Sequence, residues 1–244
     1  FLKASNQNYW QVLPIGITSF GDSPYSTLST YAGGYYYIDL DLLVKDKLLT
    51  KEEIKPLKYR NGKINYEHLF NTRLDILKLA FSRFKDNNIE NIDYLAFIDE
   101  NNNWLYDFSL FMAIKTNLHS ASFDVWPDDV KHKYNIEKYV TKSDIDFWKF
   151  VEYLFFKQWM NLKTYANNLG IKIIGDLPIY VAYDSSDVWA NPNIFQLDEN
   201  LVPKKVAGVP PDYFSKTGQL WGNPLYDWDV LEKSNYKWWI DRIK

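Results

Sequence analysis

The most regular pattern of apolar and polar positions lies between residues 144 and 181. Residues 144–169 carry apolar side chains at helical spacing and predict a long amphipathic helix, with Gly170 at the expected C-cap. The apolar run Ile171, Ile173 and Ile174 predicts a strand within residues 171–181 that is buried on both faces. A helix that leads through a glycine into a strand is typical of an α/β fold. The helical stripe consists of Trp148, Val151, Phe155, Trp159, Leu162, Ala166 and Leu169.

Asp176 stands where this predicted strand ends. A carboxylate at the carboxyl end of a buried parallel strand is where α/β barrels place groups that handle a ligand. The alternative is that Asp176 only hydrogen-bonds the turn that follows. The pattern by itself leaves both interpretations open.

Residues 9–15 form a second strand candidate, closed by Pro14 and Gly16. The segment that follows is rich in Gly, Ser and Pro and predicts a loop. Ser23 and Tyr25 could offer hydroxyls and an aromatic ring to a ligand there. The pattern alone favours a surface turn with one anchoring tyrosine.

Residues 38–146 read as mainly helical. Residues 66–86 predict a strongly amphipathic helix, residues 104–118 predict another, and Thr50 to Glu53 has the spacing of a capping box. Residues 121–135 are broken by Pro127 and predict a loop. The strand candidate before residue 171 ends at residue 15, whereas an ordinary crossover needs only about a dozen residues. The helical stretch is therefore predicted to be an inserted subdomain.

Residues 182–226 hold neither a helical nor a strand period for long. A hairpin is compatible with the turn at residues 198–200, between two short apolar runs. A loop of this length in a compact domain is usually functional or disordered. Its aromatic content argues against disorder: Trp189, Phe195, Tyr213, Phe214, Trp221 and Tyr226.

Composition narrows the classes of function. The net charge of −3, with no block of like charges, lacks the electrostatic footprint of a nucleic-acid-binding protein. The chain has no cysteine and no apolar run of membrane-spanning length, so we expect a cytoplasmic protein without a membrane partner. His68, His119 and His132 share no metal-ligand spacing, and neither a metal nor a cofactor is expected. Aromatic residues make up 18% of the chain, which suits ligands with an apolar face and a hydroxylated rim, such as sugars.

An ordered set of motifs spans residues 9–226 and resembles the 4-alpha-glucanotransferases, the amylomaltase or disproportionating-enzyme family (glycoside hydrolase family 77). The motifs are Gln-Val-Leu-Pro-Ile-Gly at 11–16, Gly-Asp-Ser-Pro-Tyr at 21–25, Gly-Asp-Leu-Pro-Ile-Tyr-Val-Ala at 175–182, Asp-Val-Trp-Ala-Asn at 187–191, Gly-Val-Pro-Pro-Asp-Tyr-Phe at 208–214 and Gly-Gln-Leu-Trp-Gly-Asn-Pro-Leu-Tyr at 218–226.

The resemblance implies an α/β fold, namely part of a (β/α)₈ TIM barrel of the α-amylase clan with an inserted helical subdomain. Barrel portions are then expected at residues 1–37, with the Ser-Pro-Tyr loop, and at 143–244, with a long substrate-binding loop. Residues 38–142 are the expected insertion. The implied activity transfers α-1,4-glucan segments between maltodextrins by retaining double displacement, which uses two carboxylates about 5 Å apart.

The resemblance also implies roles for single residues. Asp176 would hydrogen-bond hydroxyls of the transferred sugar, and the Ser-Pro-Tyr loop, with Ser23 and Tyr25, would pack against that same sugar. Three residues of the long loop would contact acceptor-side glucose units. These three are Asp212, Gln219 and Trp221. Asn223 is a weaker candidate, because the alternative is that Gly-Asn-Pro serves only to shape the turn. Tyr180 and Trp189 are expected to be structural.

One family motif is missing. The nucleophilic aspartate of the family lies in an Arg-x-Asp-His-Phe-Arg-Gly sequence, and residues 240–243, Ile-Asp-Arg-Ile, lack its continuation. Asp241 is thus expected to be a surface residue of a helix. Phe1 is not a methionine, and the helical pattern at residues 235–244 stops without a C-cap signal. We therefore expect a fragment, with the nucleophile and the acid/base beyond Lys244 and the first barrel strand before Phe1.

Two other functions stay open at this stage. One is a non-catalytic module that binds α-glucan through the aromatic loop. The other is an α-glucan hydrolase of the same clan, against which the Gly-Val-Pro-Pro-Asp loop argues.

Overall fold

A computed structural model describes residues 1–19, 21–58, 62–86 and 91–243, which form a mixed structure of helices and short strands. The helices are α1 (Leu40–Lys45), α2 (Lys51–Ile54), α3 (Tyr66–Asp86), α4 (Ile92–Glu100), α5 (Leu105–Asn117), α6 (Asp128–Lys131), α7 (Lys142–Asn168), α8 (Ser186–Ala190), α9 (Trp228–Lys233) and α10 (Lys237–Ile243). The strands are β1 (Tyr9–Gln11), β2 (Lys172–Ile174), β3 (Val206–Val209) and β4 (Gln219–Pro224). Short 3₁₀ turns lie at Tyr35–Tyr37, Lys55–Leu57, Phe123–Val125, Ile136–Lys138 and Pro192–Ile194.

The two strand candidates pair with each other. β1 and β2 are parallel neighbours, with Trp10 opposite Ile173. Both are shorter than predicted, and the expectation that β2 is buried on both faces was wrong. Ile171 is buried just before the strand, but Ile174 is 46% exposed. Within the described residues this sheet has two strands, so little packs on its outer side.

Helix α7 connects the core to β2. It begins with a capping box in which Thr141 and Asp144 exchange hydrogen bonds, slightly before the predicted start. Gly170, at φ +79°, ends it in the left-handed conformation that favours glycine. The first half of the predicted stripe is buried up to Phe155, whereas Leu162 is 42% exposed. The stripe is therefore core only over part of its length.

The described residues between 38 and 142 are mainly helical, as predicted. The helices predicted at residues 66–86 and 104–118 are α3 and α5, and the capping box of Thr50 and Glu53 is present. The prediction of a loop at residues 121–135 was wrong in part, because α6 begins directly after Pro127. One cluster of buried side chains includes residues from all three predicted segments. The segment boundaries therefore stay a prediction.

The hairpin of β3 and β4 was not predicted. Gly208 approaches β4 so closely that an added Cβ would lie 2.5 Å from the carbonyl oxygen of Gln219. Gly218 has φ +73° at the start of the return strand. Glycine makes the pairing sterically feasible here. Because glycine has no side chain, the segment lacks the alternation of apolar and polar residues from which a strand is predicted. The hairpin suggested around residues 198–200 is present as an antiparallel bridge between Leu197 and Pro203.

A buried carboxylate anchors the segment that follows the Ser-Pro-Tyr loop. The Thr30 N–H and the Thr30 hydroxyl each donate to Asp187 over 2.8 Å, and the Ser186 N–H donates to the Leu28 carbonyl over 2.8 Å. Asp187 is only 3% exposed; this burial raises its pKa, and the two hydrogen bonds from Thr30 oppose the rise. We call this contact the Thr30–Asp187 anchor. It joins two stretches of chain that are remote in sequence.

A second buried acid fixes the same region against α7. Glu152 is fully buried and accepts a hydrogen bond of 2.8 Å from the Gly33 N–H. A Cβ on Gly33 would lie 1.9 Å from the Phe155 ring, so the helix packs directly on this glycine. Burial raises the pKa of Glu152 well above its ordinary value, which the hydrogen bond from Gly33 only partly offsets.

The raised pKa predicts how stability responds to pH. In the unfolded chain Glu152 ionises near its ordinary pKa, but in the folded chain it holds its proton to higher pH. Its contribution to stability is therefore complete at low pH and is lost as pH rises through the folded pKa. We expect Glu152→Gln, which cannot ionise, to stabilise the chain relative to wild type at pH 8 more than at pH 5. Urea unfolding at both values measures this, with exposed Glu232→Gln as the control. Equal pH dependence of wild type and Glu152→Gln would contradict a neutral Glu152.

The Thr30–Asp187 anchor predicts a cost for losing one hydroxyl. Thr30→Val keeps the shape of the side chain but removes a donor from a buried carboxylate, which should lower the free energy of unfolding by about 1–3 kcal/mol. Thr30→Ser retains the hydroxyl and should lose less, although it lacks the methyl group. Chemical denaturation of the three proteins measures the difference. Equal losses in the two variants would show that the hydroxyl contributes nothing.

Candidate functional site

A groove of about 730 Å³ opens beyond the carboxyl end of β2. Three stretches of chain form it: the Ser-Pro-Tyr loop, the residues that follow β2, and part of β4. Its lining consists of Ser19, Ser23, Tyr25, Ser26, Asp176, Leu177, Pro178, Ile179, Tyr180, Ala182, Tyr183, Asp184, Trp221, Gly222 and Asn223. We call this feature the groove.

Asp176 and Tyr25 meet at one side of the groove. The Tyr25 hydroxyl donates to Asp176 Oδ2 over 2.8 Å, and both residues are solvent-exposed. This hydrogen bond raises the pKa of Tyr25. Ser23 Oγ accepts from the Tyr25 N–H over 3.3 Å and so shapes the turn that presents the ring. Asp176 Oδ1 accepts no hydrogen bond from the described part of the chain, and it is available to a ligand.

Aromatic rings form another part of the groove wall. The Trp221 ring lies 6.3 Å from that of Tyr180, centroid to centroid, and Tyr180 stacks on Tyr226 at 6.2 Å. The Trp221 indole N–H donates to Gln219 Oε1 over 3.0 Å, which leaves the ring face as the surface offered to solvent. Trp221 is 48% exposed, enough for a flat ligand to cover it.

The remaining predicted residues fall into two groups. Asn223 lines the groove, but its amide donates to the Val181 carbonyl over 2.7 Å, so it also holds β4 against the residues after β2. Asp212 lies outside the groove lining, in the loop between β3 and β4. Its Oδ1 accepts from the N–H groups of Phe214 and Ser215. Gln219 also lies outside the lining and reaches the groove through Trp221.

Some features of the groove were not predicted. Tyr180, expected to be structural, lines it, whereas Trp189 is fully buried. Asp184 also lines it and is held by Lys115 Nζ at 2.6 Å. Its partner Lys115 lies on α5, 69 positions earlier in the chain, so no local pattern links the two. Asp241 lies in α10, but it pairs with Lys237 and its side chain is 19% exposed, so the expectation of a surface residue was wrong in part.

The groove offers hydroxyls, one free carboxylate oxygen and aromatic faces on a shared surface. Within residues 1–19, 21–58, 62–86 and 91–243, no three His, Cys, Asp or Glu side chains are arranged to hold a metal ion. Among the helices of those same residues, none is both long and apolar enough to span a membrane. The arrangement suits binding of a neutral, hydroxyl-rich ligand.

Comparisons with known proteins agree over the full sequence. The family model described as 4-alpha-glucanotransferase matches residues 1–244. A 4-alpha-glucanotransferase of Clostridium butyricum is 51% identical over 251 residues, which cover all of this chain and 51% of that protein. A 4-alpha-glucanotransferase of Thermus thermophilus is 43% identical over 250 residues, covering all of this chain and 49% of that protein.

A solved structure is also similar. The amylomaltase of Streptococcus agalactiae in complex with acarbose has a TM-score of 0.93 and 39% identity, covering 99% of this chain and 50% of that one. The chain spans about half the length of the curated relatives it matches. Because the family model covers every residue, the chain belongs to the 4-alpha-glucanotransferase family.

Proposed function

We propose that these residues form the glucan-binding part of a 4-alpha-glucanotransferase, which moves α-1,4-glucan segments between maltodextrins by retaining double displacement. The observation that carries the proposal is the groove, which Asp176, Tyr25 and Trp221 line together. A glucose ring has apolar C–H faces and a hydroxyl rim, so it can stack on Trp221 while its hydroxyls reach Asp176.

The similar amylomaltase was solved with acarbose bound, which supports an α-glucan as the ligand class. We propose that Asp176 binds hydroxyls of the transferred sugar and that Trp221, oriented by Gln219, contacts acceptor-side units. Asp212 then acts by holding the loop between β3 and β4 in shape, because its carboxylate already accepts two backbone N–H groups. Ser23 and Asn223 act mainly by positioning Tyr25 and β4.

The bond-breaking groups are assigned elsewhere. A retaining mechanism needs a nucleophile and an acid/base carboxylate about 5 Å apart. Residues 240–243 lack the nucleophile motif, and Asp241 is paired with Lys237. We therefore propose that both catalytic carboxylates lie outside these 244 residues. Acceptor sugar and aromatic walls would keep water from the glycosyl-enzyme and favour transfer over hydrolysis.

The same proposal includes the fold and the location. The parallel pair β1 and β2 would be neighbouring strands of a (β/α)₈ barrel, with residues 38–142 inserted between the barrel portions at 1–37 and 143–244. Asp176, two residues after β2, would then sit on the face where barrels bind ligands. We also propose a cytoplasmic location.

A binding experiment tests the groove. We expect maltoheptaose to bind the chain, and Trp221→Ala or Asp176→Ala to weaken the affinity at least about tenfold, which corresponds to about 1.4 kcal/mol. Isothermal titration calorimetry measures this. Trp228→Ala is the matched control, because Trp228 is similarly exposed at 54% but lies outside the groove. Equal affinities in all four proteins would show that the groove does not bind maltoheptaose.

A chimera tests the transferase activity with the other half of the enzyme supplied by a relative. Residues 1–244 replace the matching half of the Clostridium butyricum enzyme, and products from maltotriose are separated by chromatography. We expect glucose and longer dextrins from the chimera, but none from the chain alone. Asp176→Asn in the chimera should lower kcat/KM about a hundredfold or more, because hydrogen bonds to the reacting sugar strengthen in the transition state.

Other outcomes of this assay discriminate the alternatives. A dextrin ladder from the chain alone would place catalytic carboxylates within these residues. Reducing ends without longer products would indicate a hydrolase. Near-normal turnover of Asp176→Asn would exclude a role for Asp176 in the reaction.

A further inference from the structure

A second cavity, of about 250 Å³, lies outside the groove. The start of α5, α8 with the turn after it, and α10 surround it. No residue lines both cavities, although Ser29 and Asp187 border this one while Ser26 and Asp184 border the groove. Asp187 of the Thr30–Asp187 anchor lines the second cavity but not the groove. We call this feature the second cavity.

Three aromatic rings form the apolar side of the second cavity. Tyr31 and Trp104 are nearly parallel, at 13° and 5.9 Å between centroids. Trp238 meets Tyr31 edge to face at 6.3 Å. The Tyr31 hydroxyl donates to the Trp238 carbonyl over 3.0 Å, which fixes the two residues and uses up that polar group. The Trp104 indole N–H donates to Asn101 Oδ1, whereas the buried Trp238 indole N–H has no partner among the described residues.

The polar side carries groups without partners. Asp107 is half-buried, yet its carboxylate accepts no hydrogen bond from the described residues. Burial raises the pKa of Asp107, and the positive charge of Lys133 opposes the rise. The amides of Asn103 and Asn193 are exposed at the rim, and neither makes a side-chain hydrogen bond to a described residue. By contrast, Asp187 and Asp241 are already occupied, by Thr30 and by Lys237.

We propose that the second cavity binds one aldohexose ring, such as D-glucose. A half-buried carboxylate and two free amides match the hydroxyls of a sugar, and the aromatic side matches its C–H face. The volume lies just below the range of about 300–1,000 Å³ that is usual for drug-sized ligands, which favours a single ring over an oligosaccharide. This site is additional to the proposed glucan groove and does not depend on it.

Tryptophan indole signals can test the two sites separately. The chain is labelled with ¹⁵N-tryptophan, and the signals are assigned with Trp104→Phe, Trp221→Phe and Trp238→Phe. Titration with D-glucose should shift the Trp104 and Trp238 indole signals saturably at millimolar concentration, whether or not glucose also shifts the Trp221 signal by entering the groove. D-Sorbitol has similar hydroxyls but no ring face, and we expect it to shift them at least fivefold less.

Variants of the polar side complete the test. Asp107→Ala should weaken the glucose response at least fivefold, and Asn193→Ala should also weaken it. Because Asn193 is exposed, Asn193→Ala should leave the fold intact. If Asp107→Ala does not fold, Asn193→Ala alone still tests the polar side of the cavity. Asp176→Ala should have no effect on the glucose response.

Several results would overturn the second site. They are no saturable shift of Trp104 or Trp238, an equal response to sorbitol, indifference to both cavity variants, or a glucose response confined to Trp221. A separate titration with maltoheptaose tests the groove. If maltoheptaose does not shift the Trp221 signal, that result counts against the groove and not against the second cavity.

Discussion

The structure depends on hydrogen bonds that join residues 25–30 to residues 176–187. Tyr25 donates to Asp176, and Thr30 donates twice to Asp187, so a loop after β1 is fixed to the chain after β2. The parallel pairing of β1 and β2 brings the two stretches to the same edge, where these bonds then set their separation. The Tyr25–Asp176 bond is exposed and can be remade with a ligand, whereas the two bonds from Thr30 are part-buried and end on the buried Asp187. This division lets the groove keep its shape while Asp176 stays accessible.

The hydrogen bonds that fix this region to the rest of the chain end on two buried acids. Asp187 and Glu152 are both taken out of water, and burial raises the pKa of each. Thr30 donates two hydrogen bonds to Asp187, and the Gly33 N–H donates to one oxygen of Glu152, whereas Glu152 Oε1 has no hydrogen-bond partner among the described residues. A charged partner is less important here than well-aligned donors, since an unsatisfied buried acceptor costs more than a hydrogen bond contributes. Helix α5 contributes through a charged pair, because Lys115 holds Asp184 at the edge of the groove.

Local patterns predicted the helices well and the site only in part. The capping box at Thr50, the stripe of α3 and the glycine after α7 are local signals, and the structure contains them. The pairing of Tyr25 with Asp176 spans 151 positions, and the pattern alone favoured a surface turn; only the family resemblance pointed to a shared site. The hairpin of β3 and β4 was missed because close backbone approach at Gly208 leaves no side-chain alternation. β2 was predicted to be buried because apolar residues were read without knowledge of what packs on them.

We propose that Tyr25, Asp176 and Trp221 bind one α-glucan between them. A crystal structure of the chain with acarbose tests it most directly. We expect acarbose to bind in the groove, with a sugar hydroxyl within hydrogen-bond distance of Asp176 and a sugar ring against Trp221. Acarbose bound elsewhere, with the Tyr25–Asp176 hydrogen bond and the Trp221 face untouched, would contradict it.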